Sequence, residues 1–259
     1  MSKEQQKYLK NLKRNKIKIL FYQIAIFVIF IIIWQYLSNK NLINTFITSS
    51  PKNIIITLKN LYTNNNLMFH IMVTTKETLI SFIITTFLSL LVSIILYNFK
   101  IISKILDPYL TILNSLPKVA LGPIIIIWIG ANTKSIITMA VLISIIVSIQ
   151  TIYNGFENTD KLKIKLFQTF NASKLTTLLN VVIPENKKVI LNTLKINISM
   201  CLIGVIMGEF LTSKAGIGYL ILYGSQIFNL NLVMTGIFLL IIISIVMYEL
   251  IIFITKEWY

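Results

Sequence analysis

Cysteine and histidine are nearly missing from this 259-residue chain, which has one of each, Cys201 and His70. One cysteine excludes an internal disulfide, and so small a stock of soft ligands argues against a thiolate or imidazole metal site. Acidic residues are also few, nine Asp and Glu against 24 Lys and Arg, for a formal net charge of +15. No carboxylates stand paired at acid–base spacing. No Gly-rich loop ending in Lys-Ser or Lys-Thr is present to cradle a nucleotide, which argues against ATP hydrolysis by the chain itself. The sequence offers no catalytic residue set, and no cofactor or metal is expected.

What it has in abundance is apolar length. Hydrophobic residues make up 56% and charged residues 13%, with a mean hydropathy of +0.79, outside the range of soluble domains. Spanning a hydrocarbon core takes about 20 apolar residues. Six segments meet that need: Ile19–Leu37, Thr78–Tyr97, Ile105–Ile129, Ser135–Tyr153, Val189–Leu211 and Val233–Thr255. Asp107, Lys118, Lys195, Glu209 and Glu249 are the charges at or inside their margins. The expected fold is an all-α polytopic membrane protein with about six transmembrane helices, embedded in membrane lipid.

The basic charge is placed asymmetrically, and that placement argues against nucleic acid as a partner. Residues 1–18 form a basic tail carrying Lys3, Lys7, Lys10, Lys13, Arg14, Lys16 and Lys18. Lys100 and Lys104 lie between spans two and three, and Lys161, Lys163, Lys165, Lys174, Lys187 and Lys188 between spans four and five. The alternate connections together are poorer: Lys40, Lys52, Lys59 and Lys76 after span one, Lys134 after span three, Lys214 after span five. The positive-inside rule then puts both termini and the 154–188 loop in the cytosol. Residues 19–259 make up the transmembrane domain. Ile19–Leu37 is too long for a signal-peptide core and lacks a small-residue cleavage site, so it reads as a retained span in a cell-membrane protein. Cys201 falls in an apolar helix, and His70, just outside span two, reads as ordinary surface polarity.

The 154–184 stretch is a polar island between apolar spans. Thr159 or Asp160 can cap a short helix over Lys161–Phe170, and Asn171 suits the left-handed turn that closes it. Ser173 can cap a second helix running through Leu175, Leu178, Leu179 and Val182. Pro184 fits a first helical turn, where its missing N–H costs nothing. Two short amphipathic helices along the membrane surface follow. They fit either an interfacial loop or a handle for a cytosolic partner.

At these residues the chain resembles the permease subunits of ABC importers that work with a substrate-binding protein. Their cytosolic signature runs Glu-Ala-Ala, a Gly four residues on, then Ile-x-Leu-Pro. Asn171 occupies the Gly position, Ala172 and Ser173 the small pair after it, and Val181-Val182-Ile183-Pro184 the closing motif. Lys165, Leu166 and Phe167 stand where Glu-Ala-Ala is expected, so the acidic residue is reversed. Two further segments resemble the nitrate, taurine and aliphatic-sulfonate branch. One is Leu106-Asp107-Pro108 through Leu116–Pro123 to Trp128-Ile129-Gly130; the other is Gly208-Glu209-Phe210-Leu211 followed by Ala215–Ile221. With Asn154-Gly155-Phe156 and Asp160 in step, the resemblance covers roughly residues 50–255.

The resemblance implies a type I ABC importer permease fold acting as a homodimer. Two cytosolic ATPase subunits would hydrolyse ATP, and an extracytoplasmic binding protein would deliver the solute. The coupling residues would be Asp160, Lys165, Leu166, Phe167, Phe170, Asn171, Ala172, Ser173 and Pro184. A sulfonate, nitrate, taurine or a thiamine-precursor-like heterocycle is the implied substrate class.

Pro117, Gly122 and Pro123 interrupt span three, and broken backbone at membrane depth is tolerated where it lines a cavity or packs on protein. Val119 and Ala120 between them, with Glu209, complete the expected pathway set. Gly216 and Gly218 permit a tight extracytoplasmic hairpin that suits a gate, and plain loop packing is its rival. Gly204 and Gly208, four apart, suit close packing at a dimer axis or elsewhere. Glu209 reads either as a pathway carboxylate or as a helix-end charge held by Lys214. An ion-gradient-driven secondary transporter or channel is the alternative function. It calls for inverted repeats and midplane charges; no repeat is visible, and span-central charges are few.

Overall fold

The computed structural model describes residues 3–64 and 67–256. In chain order the helices are α1 (Lys3–Asn39), α2 (Thr45–Thr48), α3 (Pro51–Asn64), α4 (Leu67–Asn98), α5 (Lys100–Ser115), α6 (Gly122–Ile129) and α7 (Thr133–Glu157). They continue as α8 (Lys161–Thr169), α9 (Lys174–Thr177), α10 (Ile183–Glu185), α11 (Lys187–Thr212), α12 (Ile217–Gln226) and α13 (Leu230–Thr255). Among the described residues there is no strand.

Five helices are long and apolar enough to cross a membrane: residues Lys10–Asn39 of α1, then α4, α7, α11 and α13. α5 and the Lys118–Ile129 segment pass the same test only together and meet at 90°, which makes them a broken span or a re-entrant loop. The break falls where the prolines predict it. Leu116, preceding Pro117, is extended at ψ 140, as the proline ring demands of its neighbour. A 3-10 turn over Lys118–Leu121 then leads into α6, which carries Pro123 in its first turn. Pro108, by contrast, sits inside α5 without ending it. α1 runs unbroken from Lys3 to Asn39, through both the basic tail and the first apolar run.

The chain divides into two compact units, residues 1–65 with 224–235, and residues 66–223 with 236–259. In the first, the Lys52 backbone N–H donates to the Gln35 side chain at 2.9 Å, and the Ser49 hydroxyl donates to Asn231 at 2.7 Å. These bonds fasten the turn before α3 to its own neighbours.

The second unit is built on α4, α7 and α11. The buried stripe of α4 is Thr74, Thr78, Ser81, Thr85, Ser89 and Ser93, spaced three or four apart on one helical face. Small hydroxyl residues let helix backbones approach closely in lipid, where no hydrophobic force drives helices together. Each hydroxyl also needs a partner. Thr78 donates to the Thr74 carbonyl at 2.7 Å and Ser81 to the Glu77 carbonyl at 2.8 Å. Thr85 pairs with Ser144 of α7 at 2.9 Å, and Ser93 donates to the Ile149 carbonyl at 3.1 Å. Ser148 donates to Asn197 of α11, and the buried Cys201 thiol reaches Ser144 at 3.4 Å.

Gly204 and Gly208 face α7 of the same chain rather than a dimer axis. A Cβ on Gly204 would overlap the Ala140 backbone, and one on Gly208 would come within 2.9 Å of the Ile136 Cα. Outward, this unit presents Ile83, Phe87 and Phe253, all more than 60% exposed, an apolar exterior suited to lipid.

Candidate functional site

The loop between α7 and α11 folds as two short helices on a fixed base. α7 ends at Glu157, and the Asp160 side chain, rather than Thr159, caps α8 by accepting from the Leu162 N–H at 2.8 Å. Asn171 adopts φ 55, the left-handed conformation expected of it. Its neighbour Ala172 returns an N–H to the Phe167 carbonyl at 3.1 Å. The Ser173 hydroxyl caps α9, accepting from the Thr176 N–H at 3.1 Å. A π turn over Leu178–Val182 follows, and Pro184 lies in the first turn of α10, one short turn ahead of α11.

Three contacts make this base rigid. Leu178 and Val182, 1% and 0% exposed, sink into a cluster with Ile152 and Phe156 of α7. The Asn186 amide donates to Thr159 at 2.8 Å and to the Val182 carbonyl at 2.9 Å, tying the entry of the loop to its exit. Lys163 pairs with Glu185 at 3.1 Å. Gly155 allows the close approach, since a Cβ there would lie 2.9 Å from both Asn186 and Val189.

On that base α8 has two unlike faces. Lys161, Ile164, Lys165 and Gln168, at helical spacing, line a pocket against the ends of α4 and α7. Leu162, Leu166 and Phe170 point away, 74%, 55% and 77% exposed. Phe167 is half-buried. The loop therefore displays an uncovered apolar ridge on a short rod whose foot is locked into the bundle.

At the opposite end of the bundle a second polar cluster forms around Glu209. Glu209 is 0% exposed. It accepts from the Thr74 hydroxyl at 2.6 Å and from the Gly218 N–H at 2.6 Å, so that it caps the start of α12 from another helix. The Ile217 N–H donates to the Thr74 hydroxyl oxygen at 2.8 Å. Gly216, at φ 102, donates its N–H to His70 Nδ1 at 3.1 Å, and the His70 ring stacks on Tyr219 with 12° between planes. His70 is thus a structural partner and not idle surface polarity. Both glycines are required by packing: a Cβ on Gly216 would run into the Glu209 carboxyl, and one on Gly218 would lie 2.8 Å from Glu209 Cβ. Lys214 is exposed, and among the described residues it makes no ion pair with Glu209. Glu77, 4% exposed, lies within range of Glu209, with Oε2 lacking a hydrogen-bond partner among the described residues.

The residues expected to line the pathway divide. Pro117, Val119, Ala120 and Pro123 are exposed on the broken span, whereas Gly122 is buried against Leu211 and Met139. Glu209 does not join them; it belongs with Gly216 and Gly218. The residues missed by sequence reasoning are His70, Thr74 and Glu77. The hydroxyl stripe of α4, repeating every three or four residues, was the readable sign that this face is internal.

A polytopic helical bundle with one broken span and a two-helix loop on a locked base is the architecture of an importer permease. The chain belongs to the family described as binding-protein-dependent transport system inner membrane component, whose pattern matches residues 86–256. It is 29% identical over 221 residues to a "Probable ABC transporter permease protein" of Haemophilus influenzae, covering 85% of this chain and 89% of that one. It is 23% identical over 216 residues, 83% of this chain and 78% of the other, to SsuC of Bacillus subtilis, a protein named for aliphatic sulfonates transport. To the formylaminopyrimidine transport permease ThiX of Halalkalibacterium halodurans it is 25% identical over 194 residues, 74% and 76% of the two chains. The fold is similar to a chain of the inward-facing methionine ABC transporter MetNI, with TM-score 0.64 and 15% identity over 75% of this chain and 99% of that one. The chain is an ABC importer permease subunit with a type I permease fold, which displaces the ion-gradient alternative.

Proposed function

We propose that two copies of this chain pair to form the pathway of an ATP-driven importer. The 154–188 loop and both termini face the cytosol, and each loop seats one ATPase subunit. The observation that carries this reading is the exposed ridge of Leu162, Leu166 and Phe170 on a rod fixed by Leu178, Val182 and the Asn186–Thr159 bond. A ridge without a covering on a rigid foot suits a groove in a partner, and closure of that partner then turns α7 and α11 together. Asp160, Asn171, Ala172, Ser173 and Pro184 shape the rod, and Lys165 lies beside it rather than on the ridge.

The exposed elbow of Pro117, Val119, Ala120 and Pro123 faces the shared pathway. The Glu209, Gly216 and Gly218 turn holds the extracytoplasmic mouth beneath an extracytoplasmic binding protein. The solute is a small sulfonate, nitrate or taurine, or a thiamine-precursor-like heterocycle; the aliphatic sulfonates and the formylaminopyrimidine in the names of two relatives support the sulfonate and heterocycle parts of this range. A binding assay on the cognate binding protein selects among them.

Leu166→Asp and Phe170→Asp test the seat. Each puts a charge into an apolar groove, costing about 2–5 kcal/mol of association. Co-purification of the ATPase falls sharply while membrane insertion of the permease stays normal. Undiminished retention of the ATPase by both variants rules out this ridge as the seat.

A further inference from the structure

The other face of α8 closes a pocket of about 360 Å³ that the coupling reading leaves unused. Its walls are the ends of α4 and α7, α8, and the start of α9. Lys100, Lys161, Lys165 and Lys174 line it, with Glu157 as its one carboxylate and Gln168 between the lysines. None of these four lysines is in an ion pair among the described residues. Four ammonium groups around one concavity, all on exposed side chains, repel one another through solvent, and a single carboxylate leaves the pocket net positive. An anion that takes several N–H donors at once relieves that repulsion.

Position narrows the chemistry. The candidate spans of α4 and α7 end at Asn98 and Glu157, and both end residues line the pocket, so on the proposed orientation it lies near the cytosolic headgroups. We propose that this pocket binds a phosphate group, that of an anionic lipid of the surrounding leaflet or of a soluble phosphate compound. Lys161 and Lys165, one helical turn apart, flank the phosphate from α8, Lys100 approaches from the α4–α5 corner and Lys174 from the start of α9. An acidic residue at 165 would cancel part of this field, so the lysine there fits an anion site where a glutamate would not. The inference rests on the proposed orientation only for its lipid arm. It is independent of the ATPase seat, which is tested by co-purification.

The test uses the full chain, delipidated in a neutral detergent, and follows its melting midpoint with three probes. These are short-chain phosphatidylglycerol, inorganic phosphate, and short-chain phosphatidylcholine as an uncharged-overall control. A saturable rise with phosphatidylglycerol alone assigns the site to lipid, and one with inorganic phosphate as well assigns it to soluble phosphate. In either case the Lys165→Gln/Lys174→Gln double variant weakens half-saturation at least about tenfold. Gln168→Glu, which adds a charge without removing a lysine, does the same, and Lys134→Gln, far from the pocket, has no effect. Absence of a saturable rise, an equal rise with phosphatidylcholine, or a rise unchanged by the pocket variants overturns the proposal.

Discussion

Removing the Glu209 carboxyl is the most informative single change in this molecule, because three separate helices meet on it. Glu209→Ala leaves the Thr74 hydroxyl and the Gly218 N–H, both bonded to it at 2.6 Å, as buried donors without an acceptor. Each such loss costs about 1–3 kcal/mol. Thr74 still accepts from Ile217, so part of the link survives. A net weakening of about 3 kcal/mol corresponds to about a hundredfold greater opening of the turn. Ile217, 0% exposed at that turn, is the reporter. In a Cys201→Ser background, the thiol introduced by Ile217→Cys is shielded from a water-soluble maleimide and becomes labelled up to about a hundredfold faster once Glu209→Ala is added. Glu209→Gln keeps one acceptor oxygen and gives an intermediate rate. Equal labelling with and without Glu209→Ala would show that the carboxyl does not hold the turn, and would refute the reasoning.

Gly204→Leu forces a side chain into the Ala140 backbone and separates α11 from α7. The variant is expected to lose most of its folded yield, measured by size-exclusion profile, while Ile203→Leu on the exposed side of α11 does not. Asn171→Ala places a side chain with no left-handed preference at φ 55 and lowers stability by about 1 kcal/mol, read as a reduced melting midpoint; Asn171→Gly does not lower it. A thiol introduced by Val119→Cys reacts with a water-soluble reagent at a rate that changes under turnover, whereas one introduced by Ile32→Cys stays inert in lipid; identical, state-independent rates at both positions contradict a pathway at the span-three elbow.

The spans were legible because a long apolar run has few physical alternatives in water, and the elbow because Pro117 turns Leu116 out of the helical conformation while Pro123 suits the first turn of a new helix. The loop was legible residue by residue: Asp160, Asn171 and Ser173 each perform the local capping or turning their side chains favour. Tertiary pairings were not. Gly204 and Gly208 announce a close approach but not to which helix, and only the fold places Ala140 and Ile136 opposite them. Likewise, nothing local says that Glu209 reaches forward to the N–H of Gly218 and across to Thr74, or that His70 will meet Gly216 from 146 residues away. Lys214, five positions from Glu209, was the nearer partner in sequence and not the one chosen. The two faces of α8 were implicit in its spacing, yet which face lay against the bundle depended on Leu178 and Val182 finding their place beside Phe156.

The hydroxyl seam that closes α4, α7 and α11 on one another has a genetic consequence. Thr85 with Ser144 and Ser148 with Asn197 bond across it, so the interior of one chain is filled by its own side chains. On the proposed pairing, solute passes between copies and each copy furnishes one wall. Function is then a property of pairs. A cell making equal amounts of intact and defective copies assembles only about a quarter of its pairs from two intact chains. Alleles that spoil the shared wall without hindering pairing therefore act as dominant, and alleles that prevent folding, such as Gly204→Leu, act as recessive because they leave no copy to poison the intact one.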